Sequence, residues 1–226
     1  MAKKKLIRFK DIQTMDFVVE PTMDQIKNDS FHLKGKWRKE IFKNDHPIVL
    51  ELGCGKGEYA VGLGKKYPNK NFIGVDIKGA RIWYGANTVR EENLKNIAFL
   101  RTRIDFIEAF FAENEIDEIW LTFSDPQPKK PRKRLTSRLF TERYMKFLKP
   151  GGIVHVKTDS SWLFASTLEQ IEKHNYPLIQ KTWDLYGELV ENLDSDTQEI
   201  LSIRTHYEQI FSEKGFDIKY VKYKIH

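Results

Sequence analysis

The sequence predicts an α/β fold in which a mostly parallel, doubly wound sheet carries helices on both faces. Two observations predict it: short apolar runs rich in β-branched residues alternate with segments of helical periodicity, and the first run ends directly at a glycine-rich turn. Strands that alternate with helices form parallel sheets, because each helix crosses back over the sheet before the next strand begins. We expect this domain to span residues 46–226, preceded by a basic N-terminal arm with a short helix over residues 1–45.

The predicted elements follow one another without an internal repeat. Within the arm, residues 37–42 carry a short helical pattern. Apolar runs that end at glycine or polar residues predict strands at 48–52, 71–76, 97–101, 117–123, 153–157, 178–183 and 216–223. Helical periodicity predicts helices at 58–67, 80–93, 105–112, 137–148, 160–174 and 197–213. Pro150 and Gly151 stop the fourth of these helices, and Gly215 ends the last.

Composition and charge limit the classes of function. The chain of 226 residues carries a net charge of +6, which favours a polyanionic partner. The single cysteine, Cys54, excludes an intramolecular disulfide and is typical of a cytoplasmic protein. No two histidines have the spacing of metal ligands, so no metal is expected. No apolar run reaches the roughly 20 residues that span a bilayer.

A glycine-rich loop follows the first predicted strand and indicates a cofactor site. After Glu51 it places Gly53, Gly55 and Gly57 in the pattern G-x-G-x-G, and Glu58 begins the next helix. Glycines let the backbone turn sharply and approach a ligand closely. A carboxylate at the helix N-terminus would repel the pyrophosphate of a dinucleotide. S-adenosylmethionine (SAM) has no phosphate and carries positive charges, so the loop favours SAM over NAD.

Two further acids lie where strands of the predicted sheet end. Asp76 ends the second strand of the domain, about 20 residues after the glycine loop, where an acid can accept hydrogen bonds from a ribose diol. Asp105 follows the third strand, where the adenine edge is held in such sheets. Asp76 could instead be a solvated acid at a strand end. Asp105 could instead be a helix N-cap, a position that aspartate favours.

A proline-rich loop after the fourth predicted strand combines an acid with a cluster of basic residues. Asp125 lies at the tip of the strand, on the side of the expected cofactor. The basic residues that follow it, which we expect to contact an RNA backbone, are Lys129, Lys130, Arg132, Lys133 and Arg134. The alternative is a solvated basic loop.

At these motifs the chain resembles the bacterial tRNA (guanine-N7)-methyltransferases. The segments that carry the resemblance are 33–37, 50–58, 74–76, 123–134, 157–159 and 204–208, and the resemblance as a whole extends over roughly residues 33–215. The resemblance implies a Rossmann-like fold of the SAM-dependent methyltransferases. It also implies transfer of a methyl group from SAM to N7 of a guanine in the variable loop of tRNA.

The resemblance also implies roles for individual residues. It assigns SAM contacts to Glu51, Asp76, Asp105 and Asp125, and it makes Asp125 the catalytic acid. Substrate contacts fall on Lys129, Asp159, Thr205, Tyr207 and Glu208. From the residues alone, Asp159 reads as a helix N-cap, Tyr207 as core packing and Glu208 as part of a solvated helix face.

The active-site loop departs from the family pattern at two positions. The family usually reads Phe-Pro-Asp-Pro-Trp-Pro-Lys, whereas this chain has Ser124 in place of the first proline and Gln127 in place of the tryptophan. The second change removes a stacking surface for the guanine or the tRNA.

Two other functions remain open from the sequence. One is a SAM-dependent methyltransferase that acts on a protein or a small molecule. The other is an RNA-binding protein that retains the fold without catalysis. The oligomeric state, monomer or homodimer, is also open.

Overall fold

The computed structural model describes residues 2–187 and 215–225, together with Gln198, Ile200, Leu201, Ile203 and Glu208. Its strands are β1 (Val18–Val19), β2 (Ile48–Leu52), β3 (Asn71–Asp76), β4 (Ile97–Arg101), β5 (Ile116–Thr122), β6 (Leu148–Thr158), β7 (Leu178–Thr182) and β8 (Lys219–Lys224). Its helices are α1 (Ala2–Ile12), α2 (Met23–Lys27), α3 (Glu58–Lys66), α4 (Gly79–Glu91), α5 (Arg138–Tyr144) and α6 (Ser161–Lys173). Trp37–Phe42 forms a π-helical turn, and Ile104–Ala109 and Pro131–Lys133 form 3-10 turns.

The described strands form one eight-stranded sheet in the order β1-β4-β3-β2-β5-β6-β8-β7. The pairs from β1 to β6 are parallel, and β8 runs antiparallel to both β6 and β7. This confirms the predicted mostly parallel α/β fold. The chain builds outward from β2 to β4 and then returns to β5 on the other side of β2. The switch point of the sheet therefore lies between β2 and β5, at the place where such sheets bind ligands.

Packing on both faces of the sheet explains why the central strands are continuous apolar runs. All five positions of β2 are buried, because helices cover the sheet on both sides. One apolar cluster contains Leu50 and Leu121, and the cluster on the opposite face contains Val49 and Trp120. Within the described residues, no helix combines the length and the apolar character that crossing a membrane requires.

Most predicted elements agree with the structure to within a few residues. The predicted helix at 105–112 is a shorter 3-10 turn, and β6 begins before its predicted start at residue 153. Pro150 and Gly151 therefore lie inside β6 rather than in a loop before it. The predicted helix at 197–213 lies for the most part outside the described residues.

The segment before residue 46 is joined to the sheet. Its strand β1 extends the edge beside β4, and the N–H of Phe99 donates to the carbonyl oxygen of Phe17 at 2.8 Å. Helix α1 packs on α4, where Arg90 pairs with Asp11 at 2.9 Å. The hydrogen bond from Arg90, followed by one from Trp83, lowers the pKa of Asp11.

A buried carboxylate fixes the entry of this segment into the core. Glu115 accepts hydrogen bonds from the N–H groups of Gly35 at 2.8 Å, Trp37 at 3.2 Å and Ala112 at 2.9 Å. The indole of Trp37 is fully buried and donates to the carbonyl oxygen of Phe110 at 3.0 Å. Glu115 therefore satisfies backbone donors of two chain segments that are distant in sequence.

Replacement of Glu115 by alanine should reduce the free energy of unfolding by about 3 kcal/mol, because buried N–H groups lose their acceptor. The neighbouring Glu113 is exposed, so Glu113→Ala should change the free energy of unfolding by less than about 0.5 kcal/mol. Urea denaturation of the two variants measures the difference. Equal midpoints for both would contradict a structural role of Glu115.

Candidate active site

A cleft of about 1040 Å³ opens at the carboxyl ends of five neighbouring parallel strands. Each strand contributes lining residues directly at or after its end. They are Glu51 and Gly53 from β2, Asp76 from β3, Thr102 and Asp105 from β4, Thr122 and Asp125 from β5, and Asp159 and Ser160 from β6. The predicted acids that end different strands are thus brought together in one place.

The glycine loop forms the floor of this cleft in a left-handed conformation. The φ angles of Gly53, Gly55 and Gly57 are +85°, +57° and +74°. A Cβ atom at Gly57 would lie 2.6 Å from the ring of Phe99, whereas at Gly53 or Gly55 it would meet nothing within 4 Å. Gly57 therefore allows close packing of the loop, and the other two expose backbone to the cleft.

Glu51 is a buried acid at the end of β2. Its carboxylate accepts hydrogen bonds from the Thr122 hydroxyl at 2.7 Å and from the Ala60 N–H at 2.9 Å. Burial, together with the nearby charges of Glu58 and Asp76, outweighs these hydrogen bonds and raises the pKa of Glu51 to about 7. A cation in the cleft would favour the ionised form of Glu51.

Asp76 is held in place by the loops on either side. It accepts from the N–H of Gly55 at 3.0 Å and from the N–H of Lys78 at 2.7 Å. Its side chain is half-buried in the cleft lining, so the alternative of a freely solvated strand end does not describe it.

Asp105 is not a helix N-cap. It lies in the first turn of Ile104–Ala109, whose N-cap is Arg103. Its carboxylate is 3.2 Å from Arg103 Nη2 and 3.8 Å from Lys133 Nζ. The basic loop therefore reaches the cleft through Lys133.

Asp125 lies in a sharply folded loop after β5. Its Oδ1 accepts from the N–H of Gln127 at 2.9 Å, and its side chain is exposed in the cleft lining. Phe123 and Gln127, on either side, have φ angles of +50° and +46°, a costly conformation for residues with a side chain. The N–H of Phe123 donates to the carbonyl oxygen of Lys157 at 2.8 Å and anchors the loop to β6.

The basic residues after Asp125 divide into two groups. Those that are exposed are Lys129, Lys130, Arg132 and Lys133. Arg134 requires a correction, since it is only 7% exposed and therefore cannot be grouped with the exposed RNA-backbone contacts. Its guanidinium group donates to the Ser166 hydroxyl and lies 3.6 Å from the ring centroid of Trp162. The sequence could not reveal this, because both partners lie on a helix some 30 residues further on.

Asp159 lies in the cleft lining, and the N-cap alternative for it is wrong. The cap of α6 is Ser160, whose hydroxyl accepts from the N–H of Leu163 at 3.2 Å.

Glu208 requires a second correction, because its side chain is fully buried and is not among the residues that line the cleft. Its carboxylate is 2.8 Å from Lys157 Nζ, and it accepts a hydrogen bond from the Tyr186 hydroxyl. Glu208 is therefore neither part of a solvated helix face nor positioned as a substrate contact. The other residues predicted beside it, Thr205 and Tyr207, lie outside the described residues.

Two residues that shape the site had no role in the sequence analysis. Thr122 orients Glu51, and Lys157 binds Glu208 and the carbonyl oxygen of Leu201 at 2.7 Å. Thr122 had a signal in the sequence, since it ends a strand whose neighbours end in acids. For Lys157 the sequence offered no clue, because a lysine at a strand end is usually exposed.

The cleft fits SAM on three grounds. It gathers carboxylates, which suit a ligand with positive charges, and such a ligand would favour the ionised form of the buried Glu51, whose pKa is raised to about 7. Its glycine floor leaves space beside the backbone. Ser124 Oγ is buried and has no hydrogen-bond partner among the described residues, so a polar ligand group would satisfy it. Glu51, Asp76 and Asp105 are the residues that would hold the cofactor.

Comparisons with known proteins agree with this fit. Residues 45–221 match the model of a family described as putative methyltransferase. The tRNA (guanine-N(7)-)-methyltransferase of Bacteroides thetaiotaomicron is 53% identical, over 100% of this chain and 87% of that protein. The enzyme of the same name from Christiangramia forsetii is 46% identical over 99% of each chain. The solved 16S rRNA methyltransferase KamB is similar in fold, with a TM-score of 0.60 and 14% identity over 85% of this chain and 94% of that chain.

Fold, cleft and comparisons together define a SAM-dependent methyltransferase. Within this class, the chain belongs to the tRNA (guanine-N(7)-)-methyltransferase family.

The affinity for SAM should depend on pH through Glu51. Because its pKa is raised to about 7, Glu51 is mostly protonated below that pH and ionised above it. A positively charged ligand binds the ionised form better, so the Kd for SAM should fall roughly tenfold between about pH 6 and about pH 8. Calorimetry at several pH values measures this change.

Glu51→Gln should remove most of this pH dependence, while the exposed Glu172→Gln should retain it. If the pH dependence of the Kd for SAM persists in Glu51→Gln, another titrating group is its cause.

Proposed function

We propose that this chain transfers a methyl group from SAM to N7 of a guanine in the variable loop of tRNA. The observation that supports it best is an exposed acid, Asp125, in the lining of an acidic cofactor cleft, followed directly by an exposed basic loop. The acids suit the cofactor, and the basic loop suits a polyanionic substrate. The relatives at 46–53% identity are named tRNA (guanine-N(7)-)-methyltransferases, which supports the reaction and the tRNA substrate.

Methylation at N7 makes modest chemical demands on the protein. N7 of guanine is an exposed lone pair in the major groove and carries no proton, so no general base is needed. Bound SAM supplies an activated methyl group. The residues of the chain need to align the base with it, and orientation of reactants can contribute about 7–11 kcal/mol.

Asp125 is the residue we assign to this task. Its Oδ1 is fixed by the Gln127 N–H, which leaves the rest of the carboxylate to accept hydrogen bonds from the N–H groups of guanine. Its negative charge also stabilises the positive charge that develops on the purine ring. To Asp159, which follows the neighbouring strand β6 and also lines the cleft, we assign a contact with the same base.

Binding of the RNA backbone falls to Lys129, Lys130, Arg132 and Lys133. A stacked guanine must be exposed before it reacts, at a cost of a few kcal/mol. Contacts between these exposed side chains and phosphates offset that cost. Thr205 and Tyr207 complete the proposed substrate contacts. A tRNA substrate and a free cysteine both suit a cytoplasmic enzyme.

Two alternatives are distinguished by the same assay. A methyltransferase for proteins or small molecules would leave the exposed basic loop beside the cleft without a role. A protein that binds RNA without catalysis would leave the raised pKa of Glu51 and the oriented Asp76 without one.

Incubation with radiolabelled SAM and unmodified tRNA transcripts, followed by nucleoside analysis, should place the label in 7-methylguanosine. Label in another nucleoside would retain the class and overturn the proposed position. Binding of SAM without labelled tRNA would favour a different acceptor.

Asp125→Asn should lower kcat by about 100-fold or more, because the charge is lost while the acceptor for the Gln127 N–H remains. The Kd for SAM, measured separately by calorimetry, shows whether the loss lies in the methyl transfer. The exposed Glu113→Gln is the control and should retain normal turnover. Normal kcat in Asp125→Asn would exclude a role for this charge.

Lys129→Ala should weaken tRNA binding and reduce the slope of log K against log salt by about one phosphate contact, 0.7–0.9. The control is Lys173→Ala, an exposed lysine in the last turn of α6, about 20 Å along the helix from Ser160 at the cleft. An unchanged slope in Lys129→Ala would argue against a phosphate contact.

A further inference from the structure

An exposed tryptophan stands beside the cleft on a support that is itself buried. Trp162 lies in the first turn of α6, two residues after Ser160 of the cleft lining, and 46% of it is exposed. The guanidinium group of Arg134 covers one part of its ring system, at 3.6 Å from the ring centroid. The indole is thus partly covered and partly exposed to solvent.

Burial of Arg134, which packs against this indole, is energetically unfavourable. Arg134 is 7% exposed, and its Nε atom is buried without a hydrogen-bond partner among the described residues. Burial lowers the pKa of Arg134, and the charge of Glu169 offsets this only in part. A buried cation of this kind needs compensation, and here the Ser166 hydroxyl and the indole face of Trp162 provide it.

The consequence for Trp162 is a fixed orientation at an exposed position. A tryptophan free to rotate loses side-chain entropy when it binds a ligand, whereas one held by a cation on one face has already lost it. A flat, exposed and fixed aromatic surface suits a flat ligand. Nucleobases stack on such surfaces irrespective of their identity, since every base has a π-face.

We propose that the exposed face of Trp162 is a stacking platform for a nucleobase of the RNA substrate near the methylated guanine. The assignment rests on the proposed function, because an RNA in the cleft brings unstacked bases to this edge. Lys133 lines the cleft and is able to contact phosphate, and Trp162, two residues after Ser160 of that lining, is able to contact a base.

Stacking and phosphate contacts differ in their response to salt. Loss of a phosphate contact reduces the slope of log K against log salt, whereas loss of a stacked base lowers the affinity at all salt concentrations with the slope unchanged. This difference separates a stacking role of Trp162 from an indirect effect on the basic loop.

The test measures binding of unmodified tRNA to the full chain across a range of salt concentrations. S-adenosylhomocysteine, which has no transferable methyl group, is present throughout. The variants are Trp162→Leu, which retains an apolar side chain without an aromatic face, and Trp162→Phe, which retains a smaller one. Trp183→Leu is the matched control, since Trp183 is 44% exposed and packs edge-on against Phe164, and unlike Trp162 it is not near cleft-lining residues in the sequence.

Trp162→Leu should raise the Kd for tRNA by about 5- to 100-fold with an unchanged salt slope and an unchanged Kd for SAM. Trp162→Phe should recover most of the affinity, and Trp183→Leu should bind tRNA as the unmodified chain does. Thermal melting of each variant identifies any loss of folding. If Trp162→Leu is unfolded, Trp162→Phe is compared with the chain without substitutions instead.

The proposal is overturned if Trp162→Leu and Trp183→Leu bind tRNA equally well, if Trp162→Phe is as weak as Trp162→Leu, or if the salt slope falls by one contact. Failure of the proposed function is a separate result, the absence of 7-methylguanosine with the unmodified chain. If the chain forms 7-methylguanosine but substitution of Trp162 leaves the Kd for tRNA unchanged, the stacking platform is excluded and the proposed function stands.

Discussion

Lys157 connects three parts of the molecule that are distant in sequence, through its buried ammonium group and its backbone carbonyl oxygen. Its side chain and that of Glu208 are both fully buried, and the ammonium also binds the carbonyl oxygens of Leu201 and Ile203. Its own carbonyl oxygen accepts from the N–H of Phe123, in the loop of Asp125. One residue of β6 thus anchors both the segment near the C-terminus and the active-site loop. Removal of one partner of such a pair typically costs about 3–5 kcal/mol, because the other charge stays buried.

Around this anchor, the cleft follows from the parallel arrangement of strands. Because β2, β3, β4, β5 and β6 run in the same direction, one acid or polar residue at each end suffices to build a site. The acids have different environments, which separates their tasks. Glu51 is buried with a raised pKa, Asp76 is fixed by two N–H groups, and Asp125 is exposed in the cleft lining. Under the proposed function, the cationic cofactor and the anionic substrate therefore share one opening.

The features predictable from sequence were those encoded by neighbours along the chain. Apolar runs gave the strands, and the rule that parallel strands end together placed Glu51, Asp76 and Asp125 in one cleft. The features that escaped prediction depend on distant partners. Arg134 stands in a run of exposed basic residues and is buried only because Trp162 and Ser166 cover it. The strand β1, two residues long, is too short for any periodicity and exists through its pairing with β4.

The order of strands at one edge of the sheet has a consequence for synthesis of the protein on the ribosome. Strand β8 lies between β6 and β7, and it is the partner with which β7 pairs. Strands β2 to β6 can associate in the order in which they emerge from the ribosome, but β7 must wait until residues 219–224 are made. During that interval the edge of β6 has no partner strand, and such an edge invites pairing with other chains. This edge of the sheet is therefore completed late in translation. The strands that carry the glycine loop and the other cleft residues can form before it.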